Sequence, residues 1–276
     1  MLTALHIEEH EGGFLHFFRH NRLRVEHFFC DTAAVKSITY EHWRGKLGWG
    51  AIDRFVKGQR GQLLCAKDTP LPPDSAYRRF ESYELSRRMS ENAALYLLRE
   101  VGRDVSVALI DEDGSHAGLC EELVDRARLP VVYTKAAEFY IQQAEKLLRE
   151  KGAAVKISRN PSCLRNADLI VAPERIAEPL DCRPSAVILS GEKPTAAQNA
   201  PVVYDYYIEL PHKLRELKPD YLDDDYFASA LYTLANTHEL GSELFHRCGD
   251  GSVLHTRKSL AQLLEKTVDT RKKPTA

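Results

Sequence analysis

From Asp104 to Pro173 the chain alternates short apolar runs with amphipathic stretches, and this rhythm narrows its folds more than any other feature. Val105, Val107, Leu109 and Ile110 form a nearly continuous apolar run, the pattern of a strand buried on both faces. Asp111-Glu112-Asp113-Gly114 breaks it. Ser115 is placed to cap a helix along which Leu119, Leu123 and Val124 share one side. Pro130 precedes a second strand over residues 131–134. A longer helix follows with Phe139, Ile141, Ala144, Leu147 and Leu148 apolar, and Gly152 stands at its carboxyl end. Residues 153–157, 164–173, 186–189 and 202–210 read as four more strands. Strands joined by helices build a parallel sheet covered by helices, so the expected fold class is α/β.

The same rhythm resembles a dehydrogenase-type Rossmann domain over about a hundred residues. The run Ala167-Asp168-Leu169-Ile170-Val171-Ala172-Pro173 is similar to that fold's fourth strand, where small Ala172 and Pro173 would let a dinucleotide lie close. In the family the first turn is G-x-G-x-x-G, whose backbone N–H groups and helix N-terminus hold a pyrophosphate. Here residues 111–118 read D-E-D-G-S-H-A-G, so the resemblance carries over only to Gly114, Ser115 and Gly118. Asp111, Glu112 and Asp113 would set negative charge beside a phosphate, a repulsion of about 1 kcal/mol per close pair in water. The second strand ends in Thr134-Lys135, where an NAD enzyme of this type has an acid for the ribose; a Thr/Lys pair would suit the 2′-phosphate of NADP. The resemblance therefore implies a degenerate Rossmann-like domain without the Gly-rich loop. It would bind a small ligand or nucleotide in an interdomain cleft, or alternatively act as an NADP-dependent oxidoreductase.

The acidic turn allows a second resemblance. Val107-Ala108-Leu109-Ile110-Asp111-Glu112-Asp113-Gly114-Ser115 is similar to the opening motif of haloacid-dehalogenase-type phosphatases. That likeness would make Asp111 the nucleophile and Asp113 the general acid beside Mg²⁺, with Thr134 in the second motif. The spacing leaves little room for the usual flap, and no acidic pair ends the strand at Pro173. A receiver domain would need an Asp after the third strand, where the chain reads Ile157-Ser158-Arg159. The plain structural reading is that Asp and Gly form a turn and that acids favour a helix N-terminus.

The flanking chain gives less. Residues 1–35 alternate like a β-meander with turns at Gly12-Gly13 and His20-Asn21, and residues 37–60 read as a helix interrupted by glycines, with Trp43 and Trp49 in its packing. Six of the 11 His lie at 6, 10, 16, 20, 27 and 42; His16 and His20 are the pair that one face of a helix or strand could bring to a metal. Between Arg54 and Arg88 eight basic residues face four acidic ones, a surplus that could meet an anionic ligand. A helix over residues 81–101 links an N-terminal α+β domain (1–80) to the Rossmann-like domain (103–212). Helices in 213–276 could pack back on the first domain: one over 226–240 capped by Asp223 or Asp224, and one over 257–268 capped by Thr256, with 269–276 frayed.

Composition excludes some classes. A net charge of −2, from 38 basic and 40 acidic residues, opposes a nucleic-acid or anionic-membrane partner and leaves a small molecule as the expected one. No apolar run is long enough to span a membrane, and no signal pattern opens the chain, so a cytoplasmic protein is expected. The six Cys contain no C-x-x-C and read as reduced core thiols. Oligomeric state stays open, a homodimer included.

Overall fold

The computed structural model describes residues 1–10, 19–127 and 129–272. Two compact units emerge, one from Met1–Ser82 and Glu209–Leu240, the other from Tyr83–Ile208 and Gly241–Ala276.

The first unit opens with strands β1 (Leu2–Glu9), β2 (Arg22–Phe29) and β3 (Ala34–His42), then helix α1 (Trp49–Val56). It is not a meander. Strand β3 lies in the middle, parallel to β1 and antiparallel to β2. Residues 37–42, expected to begin a helix, complete β3. Ile38, Thr39 and Tyr40 are β-branched or aromatic, and Ile38 and Tyr40, two apart, bury with Leu5, Ile52 and Val56. A strand expected near Phe14–Phe18 lies outside the described residues. Trp49 packs on Tyr77, with ring centroids 4.9 Å apart.

The second unit begins with α2 (Glu84–Val101). It continues through β4 (Val107–Ile110), α3 (Ala117–Arg126), β5 (Val131–Tyr133), α4 (Ala137–Lys151), β6 (Lys156–Ser158), β7 (Leu169–Ala172), β8 (Val187–Ser190) and β9 (Val202–Val203). Six strands form one all-parallel sheet in the order β6-β5-β4-β7-β8-β9. This is the expected α/β, Rossmann-like architecture. The chain steps outward from β4 to β6, then returns across β4 to start β7. In open α/β sheets such a reversal marks the crevice where ligands bind, at the carboxyl ends of the strands.

Both faces of the sheet are covered, so β7 and β8 are buried at every position. Helix α2 packs on β7, β8 and α3. On the other face Ala108, Ile170, Ala172 and Ile188 meet Leu164, Ile176 and Cys182 from connecting segments, because no helix joins β7 to β8. The strand expected over 202–210 divides at Tyr204, whose N–H turns to Gly249 O. Its second half, β10 (Asp205–Tyr207), joins a separate antiparallel sheet.

The chain then returns to the first unit as α5 (His212–Arg215) and α6 (Asp224–Leu234), the latter entered through Asp223. Helix α6 stops well before residue 240, since Asn236 turns left-handed at φ 55°. Strands β11 (Arg247–Gly249) and β12 (Leu254–Thr256) pair with β10, and α7 (Arg257–Lys272) closes the second unit. Thr256 caps α7 as expected, its Oγ1 accepting Ser259 N–H at 3.2 Å. Residues 269–272, expected to fray, stay helical because Arg271 and Lys272 are held by Asp168 and Asp104. No helix among the described residues is long and apolar enough to cross a membrane.

Candidate ligand site at the carboxyl edge of the parallel sheet

Asp111 follows β4 directly and is 1% exposed. One carboxylate oxygen accepts Gly114 N–H at 3.0 Å; the other accepts His116 N–H at 2.9 Å and the Tyr140 hydroxyl. Burial and this carboxylate push the Tyr140 phenol far up, so it stays protonated and donating. Gly114 sits at φ +87° with the Phe139 ring 3.1 Å from where a Cβ would be, which requires glycine there. Ser115 was expected to cap α3. It does not: its N–H donates to Asp113 Oδ1 at 3.0 Å, and Asp111 satisfies the helix entrance instead. The N–H groups of residues 114–116 are thus all held by carboxylates of the turn itself.

This geometry suits neither role given to the two aspartates by the phosphatase resemblance. A nucleophile needs an accessible lone pair, and both Asp111 oxygens are buried and occupied. A general acid must hold its proton near neutral pH, and the Ser115 hydroxyl and N–H hold the Asp113 carboxyl below its usual range.

The other sequence candidates divide. Thr134 is buried, with Oγ1 accepting Ala136 N–H at 3.0 Å as α4 begins. Lys135 is exposed and its ammonium pairs with Glu112. Gly118 lies on α3 with open space at its Cβ position, so it serves no close approach. Ala172 and Lys135 line one cavity of about 580 Å³ at the carboxyl ends of β4, β5 and β7, over an apolar floor that includes Ile110, Tyr133 and Leu164. Pro173 stands beside it, its carbonyl oxygen 2.1 Å from where a Cβ on Gly191 would be, so residue 191 must be glycine. The rim carries Glu112, Asp113, Glu174, Glu178 and Asp181 against Lys135 and Arg175, and is therefore acidic.

Beside the cavity runs an ion network that the sequence reading missed. His116 Nδ1 lies 2.7 Å from Glu91 and its Nε2 3.4 Å from Glu174. Arg88 holds Glu91 at 2.8 Å; Arg87 bridges Glu174 (2.7 Å) and Glu192 (2.6 Å); Arg175 reaches Glu192 at 2.8 Å. Burial alone would lower the His116 pKa, but the hydrogen bonds its ring donates to the Glu91 and Glu174 carboxylates outweigh it and raise it above the ordinary value. Arg88 and Glu91 are three apart on α2, but no spacing rule predicts the other pairs, because their members come from α2 and from the segments after β4, β7 and β8. Part of the basic surplus between Arg54 and Arg88 is engaged within the protein: Arg60 on Asp53, Arg79 over the Tyr226 ring at 3.8 Å, and Arg87 and Arg88 here.

Among the described residues no group of three or more His, Cys, Asp or Glu is placed to hold a metal ion. His16 lies outside the described residues, and His20 is exposed in a loop. His6 stacks on Tyr221 at 4.4 Å and His10 on Trp43 at 3.9 Å, so these imidazoles serve packing. All six cysteines are free, and burial, aided by Asp111, pushes Cys120 up to about 12.

No family model and no curated protein matches the chain. Among solved structures it is similar to Thermococcus litoralis Delta(1)-pyrroline-2-carboxylate reductase in complex with NADH and L-proline, at 16% identity over 43% of this chain and 40% of that one, with a TM-score of 0.28. L-tryptophan dehydrogenase from Nostoc punctiforme aligns at 15% identity over 86% of this chain and 76% of its own, with a TM-score of 0.32. A lysine cyclodeaminase aligns at 14% identity over 69% and 61%, with a TM-score of 0.27. The chain thus spans less than two thirds of the first and third of these proteins. Likeness at this level assigns no activity and no ligand to the cavity.

Proposed function

We propose that the second unit is a binding module whose carboxyl-edge cavity takes a nucleoside-sized ligand without a pyrophosphate. One observation carries this reading: the Asp111 carboxylate already accepts the N–H groups of Gly114 and His116, the donors that would otherwise face a ligand's anion. An incoming pyrophosphate would have to displace a buried carboxylate and then face the acidic rim. The cavity, at about 580 Å³, falls among small-molecule sites and joins an apolar floor to polar walls.

The rival is NADP binding. Lys135 at the cavity wall is the residue that would meet a 2′-phosphate, after leaving Glu112. Titration of the purified protein with adenosine, NAD and NADP, following the thermal midpoint, separates the two. We expect adenosine to raise the midpoint as binding linkage requires, with neither dinucleotide exceeding it and Lys135→Ala leaving the response intact. A flat adenosine titration overturns the nucleoside reading. An NADP response abolished by Lys135→Ala replaces it with the oxidoreductase reading.

A further inference from the structure

We propose that the opposite, amino edge of the same sheet holds a second ligand site, built for a small polyanion such as a phosphorylated or polycarboxylate metabolite. A cavity of about 560 Å³ opens there, where β4, β5 and β6 begin. Its charged lining is Arg103, Lys156, Arg271 and Lys272, with Asp104 the one acid. Four cations around one carboxylate, in a concavity of small-molecule size, focus a positive field that a chain of net charge −2 does not carry as a whole.

The cations come from three separate elements and are differently committed. Arg271 is fixed: its guanidinium bonds Asp168 Oδ2 at 3.0 Å and donates to Asp104 O at 2.5 Å. Lys272 pairs with the Asp104 carboxylate at 2.8 Å. Asp168, 0% exposed, is shared with Arg183, so it neutralises only part of the charge it gathers. The ammonium of Lys156, the first residue of β6, has no hydrogen bond or ion pair among the described residues, and neither has the side-chain amide of Asn166 on the same wall. Cations at the last turn of α7 are explained by the helix dipole. Arg103, just past the carboxyl end of α2, falls under the same explanation and donates to Asp125 O at 3.2 Å; Lys156, which starts a strand, does not. Fixed guanidinium groups beside uncommitted donors make a preorganised anion site.

The test is isothermal titration of the full chain at low salt with inorganic pyrophosphate and, separately, with citrate. We expect saturable one-site heat from at least one probe, weakening as salt is added. Heat from pyrophosphate alone identifies phosphate as the ligand's anion, and heat from citrate alone identifies carboxylate. Lys156→Glu should weaken that binding about tenfold or more, while leaving the ligand-free midpoint and any response to adenosine unchanged. Arg103→Ala, also on an exposed residue, should weaken it less. Absence of saturable heat from both probes overturns the proposal, as does unaltered affinity in a Lys156→Glu, Arg103→Ala double variant that keeps the wild-type midpoint.

Discussion

Asp111 and Asp168 are the same residue type, equally buried, at opposite ends of the central strands. Asp111 stands after β4; Asp168 stands before β7 and accepts Ser106 N–H, just ahead of β4, at 2.8 Å. Their partners differ in kind. Asp111 is satisfied by two backbone N–H groups and a phenol, all neutral, whereas Asp168 is satisfied by one N–H and the guanidinium groups of Arg183 and Arg271. Neutral hydrogen-bond partners leave the Asp111 charge to be met through the neighbouring His116 imidazole, and the cavity rim at this edge carries more acids than bases. Cationic partners over-compensate at the amino edge, and its cavity is basic. One sheet therefore presents two cavities of similar size and opposite charge preference.

The largest effect should come from Asp111→Ala. It leaves two N–H groups and a buried phenol without their acceptor, a loss of about 3 kcal/mol, read as a lower urea midpoint at neutral pH. Asp111→Asn keeps one acceptor and should lose less. A change within about 0.5 kcal/mol for Asp111→Ala, the range of an ordinary surface substitution, would mean that the carboxylate does not hold the turn. The donors of residues 114 and 116 would then be open to an external anion.

Asp168→Ala should cost less, about 2 kcal/mol, because its orphaned guanidinium groups are part-exposed (26% and 33%) and can be rehydrated. It should also tighten polyanion binding at the amino edge, since a carboxylate is removed from a cationic cluster. The same urea series and the same titration check both. A loss larger than that of Asp111→Ala would reverse the comparison between the two ends.

How far these ends were legible in the sequence differs as well. The parallel sheet follows from runs such as Val105–Ile110, because a strand buried on both faces leaves a nearly continuous apolar signature. The charge conflict at Asp111 was legible too, but its resolution was not. Asp111 meets Tyr140 across 29 positions of chain, and that pairing depends on how α4 crosses the sheet. His116, Glu91 and Glu174 share no sequence interval for the same reason. Local pattern misled where it was ambiguous: residues 37–42 fit a helix or a strand until pairing with β1 and β2 decides. At the amino edge, Arg271 read as part of a frayed tail because its anchor, Asp168, lies 103 positions earlier (271 less 168).

The smallest of the three expected effects sharpens the comparison through pH. His116 is the titrating group nearest neutrality at the carboxyl edge, faced by Glu91, Glu174 and the Asp111 charge, with Arg88 and Arg87 tempering the two glutamates. Its folded pKa is raised, so the folded state keeps its proton to higher pH than the unfolded chain does. The stabilisation is complete below the ordinary histidine value of about 6.5 and drains away as pH rises through the raised value. The thermal midpoint of wild type minus that of His116→Gln should therefore shrink between pH 6 and pH 8 in the same salt. The amino edge, held by guanidinium groups that do not titrate in this window, should show no such trend in Asp168→Ala. A wild-type advantage over His116→Gln that grows with pH would mean that the imidazole is held neutral, and that the acidic network does not set the charge of this edge.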